Sequence, residues 1–505
     1  MLRFNRPPMS MLAAAGRYRS AGESLSGSLN GSPVVWAFGV AAAATGAWII
    51  AADWIAAAGI VVLCAGWQYL RTADGPPVLA MAFTFQWAQI TMGVYYHALT
   101  SRSLDTMDLS DYRPMVLIGL GCLVALLLGL VLGMKVLPAT RPSGDPRLAN
   151  AFTWSTLLAV YVGTTIATGT IQSFAWQVPA LTQAILALTY ARLATLFMIF
   201  RRLTYPRIRW GWIAVILLCE IPLGFTGFFA GFREPIMLAA VALLGVFDRR
   251  NVKHWIVLGV LAVPMLFTGV LWMAIRQDFR HDFESQVFAE SREARLKRIT
   301  ALTSAWLNSD RTELFEDVDK FVDRLWVVYY PALAVSRVPQ VMPHTNGAIL
   351  GRALTNLVMP RFLFPDKGEV ISDSEMVTQY SGVWVAGAKE GTNIAFGYAA
   401  ESYVDFGVPL MFLPVLVYGF LIGMAYHWWL GAIRHRDLAV GLATVMFWLC
   451  LYIFERSWVK TLGLTVTMMV YLGGLTLVLD RVLLWHSSGS RSTRPRRAGR
   501  RRLGR

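Results

Sequence analysis

Apolar runs of about 17–25 residues recur along this 505-residue chain, each long enough to cross a hydrocarbon core of about 30 Å as a helix. Inside lipid every backbone N–H and C=O must be paired within its own segment, so a chain of this kind folds as a bundle of helices. The expected segments are 33–52, 54–70, 77–98, 114–135, 151–171, 178–200, 210–230, 235–248, 255–275, 406–430, 438–455 and 461–484, about twelve in all. Composition agrees: 56% of residues are hydrophobic and 15% charged, where soluble domains carry about 25% charge. The formal charge of +15 does not point to nucleic acid, because the basic residues gather where apolar runs end; nine arginines lie between Arg481 and Arg505. Cys64, Cys122, Cys219 and Cys450 all fall within apolar runs. They read as small hydrophobes, with neither a disulfide nor a metal cluster expected. The basic, Ser/Gly-rich lead of residues 1–32 does not have the form of a cleavable signal peptide.

Lys/Arg bias orients the segments. Alternate connections carry Arg71; Lys135, Arg141 and Arg147; Arg201, Arg202, Arg207 and Arg209; Arg249, Arg250 and Lys253; and Arg434 and Arg436. The short connections between them carry only Arg102, Arg113, Arg233, Arg456 and Lys460. Both termini are therefore expected in the cytoplasm. The organisation reads as a cytoplasmic lead (1–32), spans one to nine (33–275), a large extracytoplasmic loop (276–397), spans ten to twelve (398–484) and a basic cytoplasmic tail (485–505). Within the loop, 283–306 has helical periodicity, 325–335 is apolar and aromatic but too short to span, and 346–359 is a weakly polar piece. Such segments suit helices lying on the interface over a cavity, without a core of their own.

Arg233, in the turn Gly231-Phe232-Arg233-Glu234-Pro235, runs against the charge bias. It is either an ion pair with Glu234 or an anion ligand, for which the planar guanidinium fork is suited. Arg276 and Arg280, four apart, share one face if the ninth helix continues; they are snorkelling side chains or partners of Arg233 around a pyrophosphate. The proline-bracketed turn from Pro360 to Pro365 brings Arg361, with Lys367 just beyond, and the same loop offers Arg324 and His344. Tyr398, Glu401 and Asp405, at i, i+3 and i+7, occupy one helical face at the head of the tenth span. Acids there should face protein or water, either paired with cations or placed to deprotonate a hydroxyl. Arg192 and Glu220 lie at comparable depths in adjacent segments and are expected to pair as a structural bridge. Walker-A, HExxH, CxxC and GxSxG patterns do not occur, so bound nucleotide, zinc hydrolysis and serine acyl transfer have no support.

These motifs, with the loop late in the chain and Glu401-Ser402-Tyr403-Val404-Asp405-Phe406-Gly407 entering a span, resemble the bacterial oligosaccharide repeat-unit polymerases, the Wzy-type O-antigen polymerase family. The resemblance covers roughly residues 231–422; the earlier spans add only topology. It implies an all-α polytopic membrane protein with a GT-C-like fold in the bacterial inner membrane, and a metal-independent glycosyltransferase that needs no cofactor. The substrate implied is an undecaprenyl-pyrophosphate-linked glycan, handled among membrane lipids, with a chain-length regulator as a further partner and no nucleic acid. On that basis Arg233, Arg276 and Arg280 are expected to bind pyrophosphate. Arg361, Lys367, Arg324 and His344 would contact phosphate or glycan, and Glu401 would activate the acceptor with Tyr398 and Asp405 in support. An O-antigen ligase shares the same architecture. A transporter, from a different class, predicts paired half-repeats and charges lining a pore, neither of which is evident.

Overall fold

A computed structural model describes residues 33–492 apart from 73–74, 105–110, 139–151, 176–181, 205–206, 226–230, 248–250, 282–291, 310, 360–363, 365–370 and 388–392. The described residues form helices and no strand. First come α1 (Pro33–Ala51), α2 (Trp54–Leu70), α3 (Val78–Thr100) and α4 (Arg113–Val136). Next are α5 (Trp154–Ala175), α6 (Thr182–Thr189), α7 (Ala191–Thr204), α8 (Trp210–Phe225), α9 (Arg233–Leu244) and α10 (Val252–His281). The 276–397 region contributes α11 (Arg292–Leu307), α12 (Arg311–Leu325), α13 (Tyr329–Arg337), α14 (Ala348–Val358) and α15 (Asp373–Ser381). Then follow α16 (Gly397–Phe406), α17 (Phe412–Ala432), α18 (Arg436–Leu451), α19 (Trp458–Thr467) and, after a π-helical turn, α20 (Gly473–Ser492).

A helix stands at each expected segment, the sixth broken at Tyr190 and the tenth divided into α16 and α17. Five helical runs are long and apolar enough to cross a membrane: α1, α4, α10, α17 and the continuous Trp458–Trp485 run. Of the others, α2 and α8 are apolar but shorter, and α3 carries the buried polar residues Gln86, Gln89 and Thr91. Protein covers little of α1 or α10, whose apolar windows are 6% and 11% buried. Their outward Val, Ile and Trp side chains form continuous apolar surface, which a watery surround would penalise.

The tightest crossing joins α4 to α17. Gly129 and Gly133 on one, and Gly419 and Gly423 on the other, each sit where a Cβ would strike the facing backbone. Two small-xxx-small stripes thus let the helix axes approach. Between α7 and α8 the anticipated bridge is present: Arg192 Nη1 donates to both Glu220 oxygens at 2.9 and 2.8 Å, and Tyr161 donates to the same carboxylate. At one end of the bundle Arg201 and Arg202 share Asp437, and His435 meets Asp480 at 2.7 Å.

The 276–397 region packs onto the other end. Trp326 is its wedge: the ring fills the space left by Gly93 on α3, and its Nε1 donates to Ile90 O at 2.8 Å. A small cluster of Ala334, Val338, Ile349, Met376, Val377, Tyr380, Val385 and Phe396 closes on Ala400 and Val404 of α16, so this part of the region shares its core with the helix that follows it.

Candidate functional site

The site is organised by the short connector between α18 and α19, residues 452–457. It runs through protein, so its backbone groups need internal partners. Gln86 Nε2 donates to Leu451 O and Gln89 Nε2 to Tyr452 O at 2.7 Å, while Phe454 N donates to Gln89 Oε1 at 3.1 Å. Tyr398 N donates to Arg456 O at 2.8 Å. Gly397 makes that approach possible: at φ 86° a side chain would be strained, and a Cβ would strike Phe454 O. The buried amides of α3 are therefore there to hold a loop.

The connector presents Tyr452, Glu455 and Arg456. The Tyr452 ring stacks on Trp448 with centroids 4.8 Å apart, and the Arg456 guanidinium lies over it at 5.8 Å. Arg456 Nη1 also donates to Leu449 O at 2.8 Å, which suits a cation at a helix C-terminus. Glu455 receives a two-pronged pair from Arg324, at 2.8 and 2.6 Å, and pushes that guanidinium's pKa further up. From the first turn of α9, Arg233 and Glu234 come within electrostatic reach of the Tyr452 phenol, and Glu234 also of Tyr190. Three guanidinium groups and two carboxylates thus converge on one connector.

The exit of α10 lies at the same height. Phe232 stacks on Phe225 at 4.4 Å and meets Trp272 at 6.4 Å; Trp272 in turn meets Phe279 at 5.9 Å. Arg276 falls between Trp272 and Phe279 on that helical face. The helix does continue to His281, so Arg280 stands one turn beyond Arg276 on the backbone; its side chain lies outside the described residues.

The α16 residues do a different job. Tyr398, Glu401 and Asp405 are all buried and share a face, but each is given over to holding structure. Tyr398 donates to Gln86 Oε1 at 2.6 Å. Glu401 Oε2 accepts from Trp458 N at 2.7 Å, capping α19, whose own N-cap Ser457 makes no side-chain bond there. Asp405 accepts from Thr345, from Ile349 N at 3.0 Å and from Leu350 N at 2.8 Å, capping α14. A carboxylate facing orphan N–H groups is the usual solution at a helix start, here supplied from a distant segment.

The other expected contacts scatter. His344 wedges over Gly407 and against Tyr403, with Nδ1 3.2 Å from Val404 O, and shapes the corner between α16 and α17. Arg324 joins the connector, while Arg361 and Lys367 lie outside the described residues. Sequence reasoning took Arg456 only as an orientation marker and passed over Tyr452 and Glu455. Two signals were available: Arg456, like Arg233, defies the charge bias, and two glutamines interrupt an apolar run. A small cavity lined by Trp210, Leu243, Phe247 and His254 lies toward the opposite end of α9, away from this cluster.

Together these features define an all-helical protein with membrane-length helices and a cation-ringed connector at one end. Residues 118–427 match DUF8712, a domain of unknown function. The match takes in well over half of the chain, which belongs to that family. It includes Arg233, Glu234, Arg324 and Glu401 and ends before the connector. No curated protein and no solved structure matches the chain.

Proposed function

We propose that this chain is a glycosyltransferase of the bacterial inner membrane that polymerises undecaprenyl-pyrophosphate-linked oligosaccharide repeat units. In this reading it crosses the membrane about twelve times, both termini are cytoplasmic and the 276–397 region faces outward. The observation that carries it is the convergence of Arg233, Arg324 and Arg456 on one buried connector, beneath the long region that would receive a glycan. A diphosphate carries several charges and needs several donors, and guanidinium forks match its oxygens. Glu455 keeps Arg324 in place until an anion exchanges with it.

In the reaction, the bond between the donor's anomeric carbon and the diphosphate oxygen breaks, and its electron pair leaves with the polyprenyl diphosphate. A bond to an acceptor hydroxyl oxygen forms. Arginines fixed beforehand around the leaving group lower the barrier electrostatically, and two lipid-tethered substrates meet at high effective concentration. Arg276, at the same height, extends the cationic surface toward α10.

The test is elongation of purified lipid-linked repeat units by the reconstituted protein, read as a product ladder. Arg233→Ala and Arg456→Ala should each slow elongation by about 100-fold while folding as the wild type does. A wild-type protein that makes no ladder, or folded alanine variants that make it at the normal rate, would overturn the reading. Transfer of finished polymer to a lipid core, with no elongation, would make it a ligase.

A further inference from the structure

Most acids around the connector are satisfied. Glu455 holds Arg324, and Glu401 and Asp405 hold backbone N–H groups. Asp373 Oδ2 receives no hydrogen bond but has the Lys460 ammonium 2.6 Å away. Glu234 Oε2 is likewise sealed from solvent and receives no hydrogen bond, and among the described residues it has no such close cation. A buried carboxylate oxygen without a donor is costly, and the reason for it here is local. Glu234 is the second residue of α9, where a negative charge suits the helix dipole, but Pro235 supplies no N–H at the next position. Stabilising the helix start would be served equally well by an oxygen in water.

Its surroundings suggest another purpose. Among the described residues, the charge of Glu234 acts on the phenols of Tyr190 and Tyr452; Arg456 acts on both phenols, and Arg233 and Glu455 on Tyr452. The oxygen itself lies over Gly231, 3.6 Å from where a Cβ would sit. The stacked rings of Phe225 and Phe232 close the turn from below. A carboxylate held with an open lone pair beside a cation cluster has the geometry of a general base poised next to an anion site.

We infer that Glu234 is the proton acceptor for the attacking hydroxyl, a role that rests on the glycosyltransferase reading above. As the acceptor oxygen bonds to the anomeric carbon, its O–H breaks and the proton passes to Glu234 Oε2. The diphosphate departs with the electron pair of the broken C–O bond. The carboxyl then hands its proton to the released diphosphate and is ready again. Arg233, one residue earlier, ties the base to the leaving group by a single turn of backbone, which keeps both within one rigid element.

The experiment compares wild type, Glu234→Gln and Glu234→Asp in the reconstituted elongation assay, with binding of polyprenyl diphosphate measured separately. The glutamine variant should lose about 100-fold or more in kcat, with KM and diphosphate binding within about threefold of wild type. The fall of wild-type kcat at low pH should disappear, and aspartate should restore part of the rate. A role confined to stabilising the helix would lower the unfolding temperature and leave the pH profile alone. Glu234→Gln turning over normally in a protein whose wild type elongates overturns this inference by itself. A glutamine variant keeping the low-pH limb does the same. Loss of folding in the glutamine variant transfers the question to aspartate, whose failure to recover any rate while folded would also count against the role. A wild type that makes no ladder removes the glycosyltransferase reading and this inference with it.

Discussion

The acids of α16 and the acids near the connector look alike in sequence, each beside aromatics at the end of an apolar run. The fold uses them oppositely. Glu401 and Asp405 face inward to the starts of α19 and α14, where backbone N–H groups take up their oxygens. Glu234 and Glu455 lie near arginines and a phenol, one with an oxygen left bare and one paired with the Arg324 side chain. A carboxylate's place in the chain therefore says little about its work; what matters is which donors the rest of the fold aims at it. The two pairs should separate experimentally, α16 variants losing stability and connector variants losing activity.

Asp405→Ala tests the structural side most severely. It leaves two backbone N–H groups and one hydroxyl buried without an acceptor, each costing about 1–3 kcal/mol. The variant should unfold at markedly lower temperature and expose residues 345–407 to protease. Unchanged melting would mean that α14 does not depend on its distant cap, and the contrast between the two regions would lose half its basis.

Glu401→Ala is milder. It leaves one backbone N–H, that of Trp458 at the start of α19, without its acceptor, which should cost about 1–3 kcal/mol. The unfolding temperature should fall by less than in Asp405→Ala, with elongation by the folded protein unchanged. Melting equal to that of wild type would show that α19 does not depend on a cap from α16.

Much of the scaffold was legible in the sequence because long apolar runs have one physical outcome. The helices stand where hydropathy put them, and Arg192 met Glu220 because two opposite charges at one depth have few other choices. Hydropathy ends the ninth segment at 275 and leaves open whether the helix continues past Arg276; α10 runs on to His281. The site was legible only in part. Arg233 was conspicuous as a cation on the wrong side of the charge bias. The phenol on which its charge acts comes from the connector, whose course depends on glutamines such as Gln86, which reaches a carbonyl 365 residues away. Periodicity reports which face of a helix is apolar; it cannot report which distant carbonyl an amide will meet. The capping contacts of the α16 acids were hidden for the same reason, since the N–H groups they meet belong to helices that no local pattern connects with them.

Glu455→Gln probes the connector with the smallest disturbance. Arg324 is half exposed in this pair, and exposed ion pairs contribute about 0–1 kcal/mol, so melting should barely change. The amide still accepts one hydrogen bond from Arg324 but no longer competes as a charge with an incoming anion. At a dielectric constant near 80, which suits a half-exposed pair, removing a negative charge about 4 Å from a diphosphate oxygen favours binding by about 1 kcal/mol, or roughly fivefold. Polyprenyl diphosphate should therefore bind the variant more tightly at low salt, and the difference should shrink as ionic strength rises. Weaker binding would mean that Glu455 positions Arg324 for the ligand and does not merely hold its place, making the connector as structural as α16. Tighter binding with normal melting would confirm that the two sets of acids differ in kind.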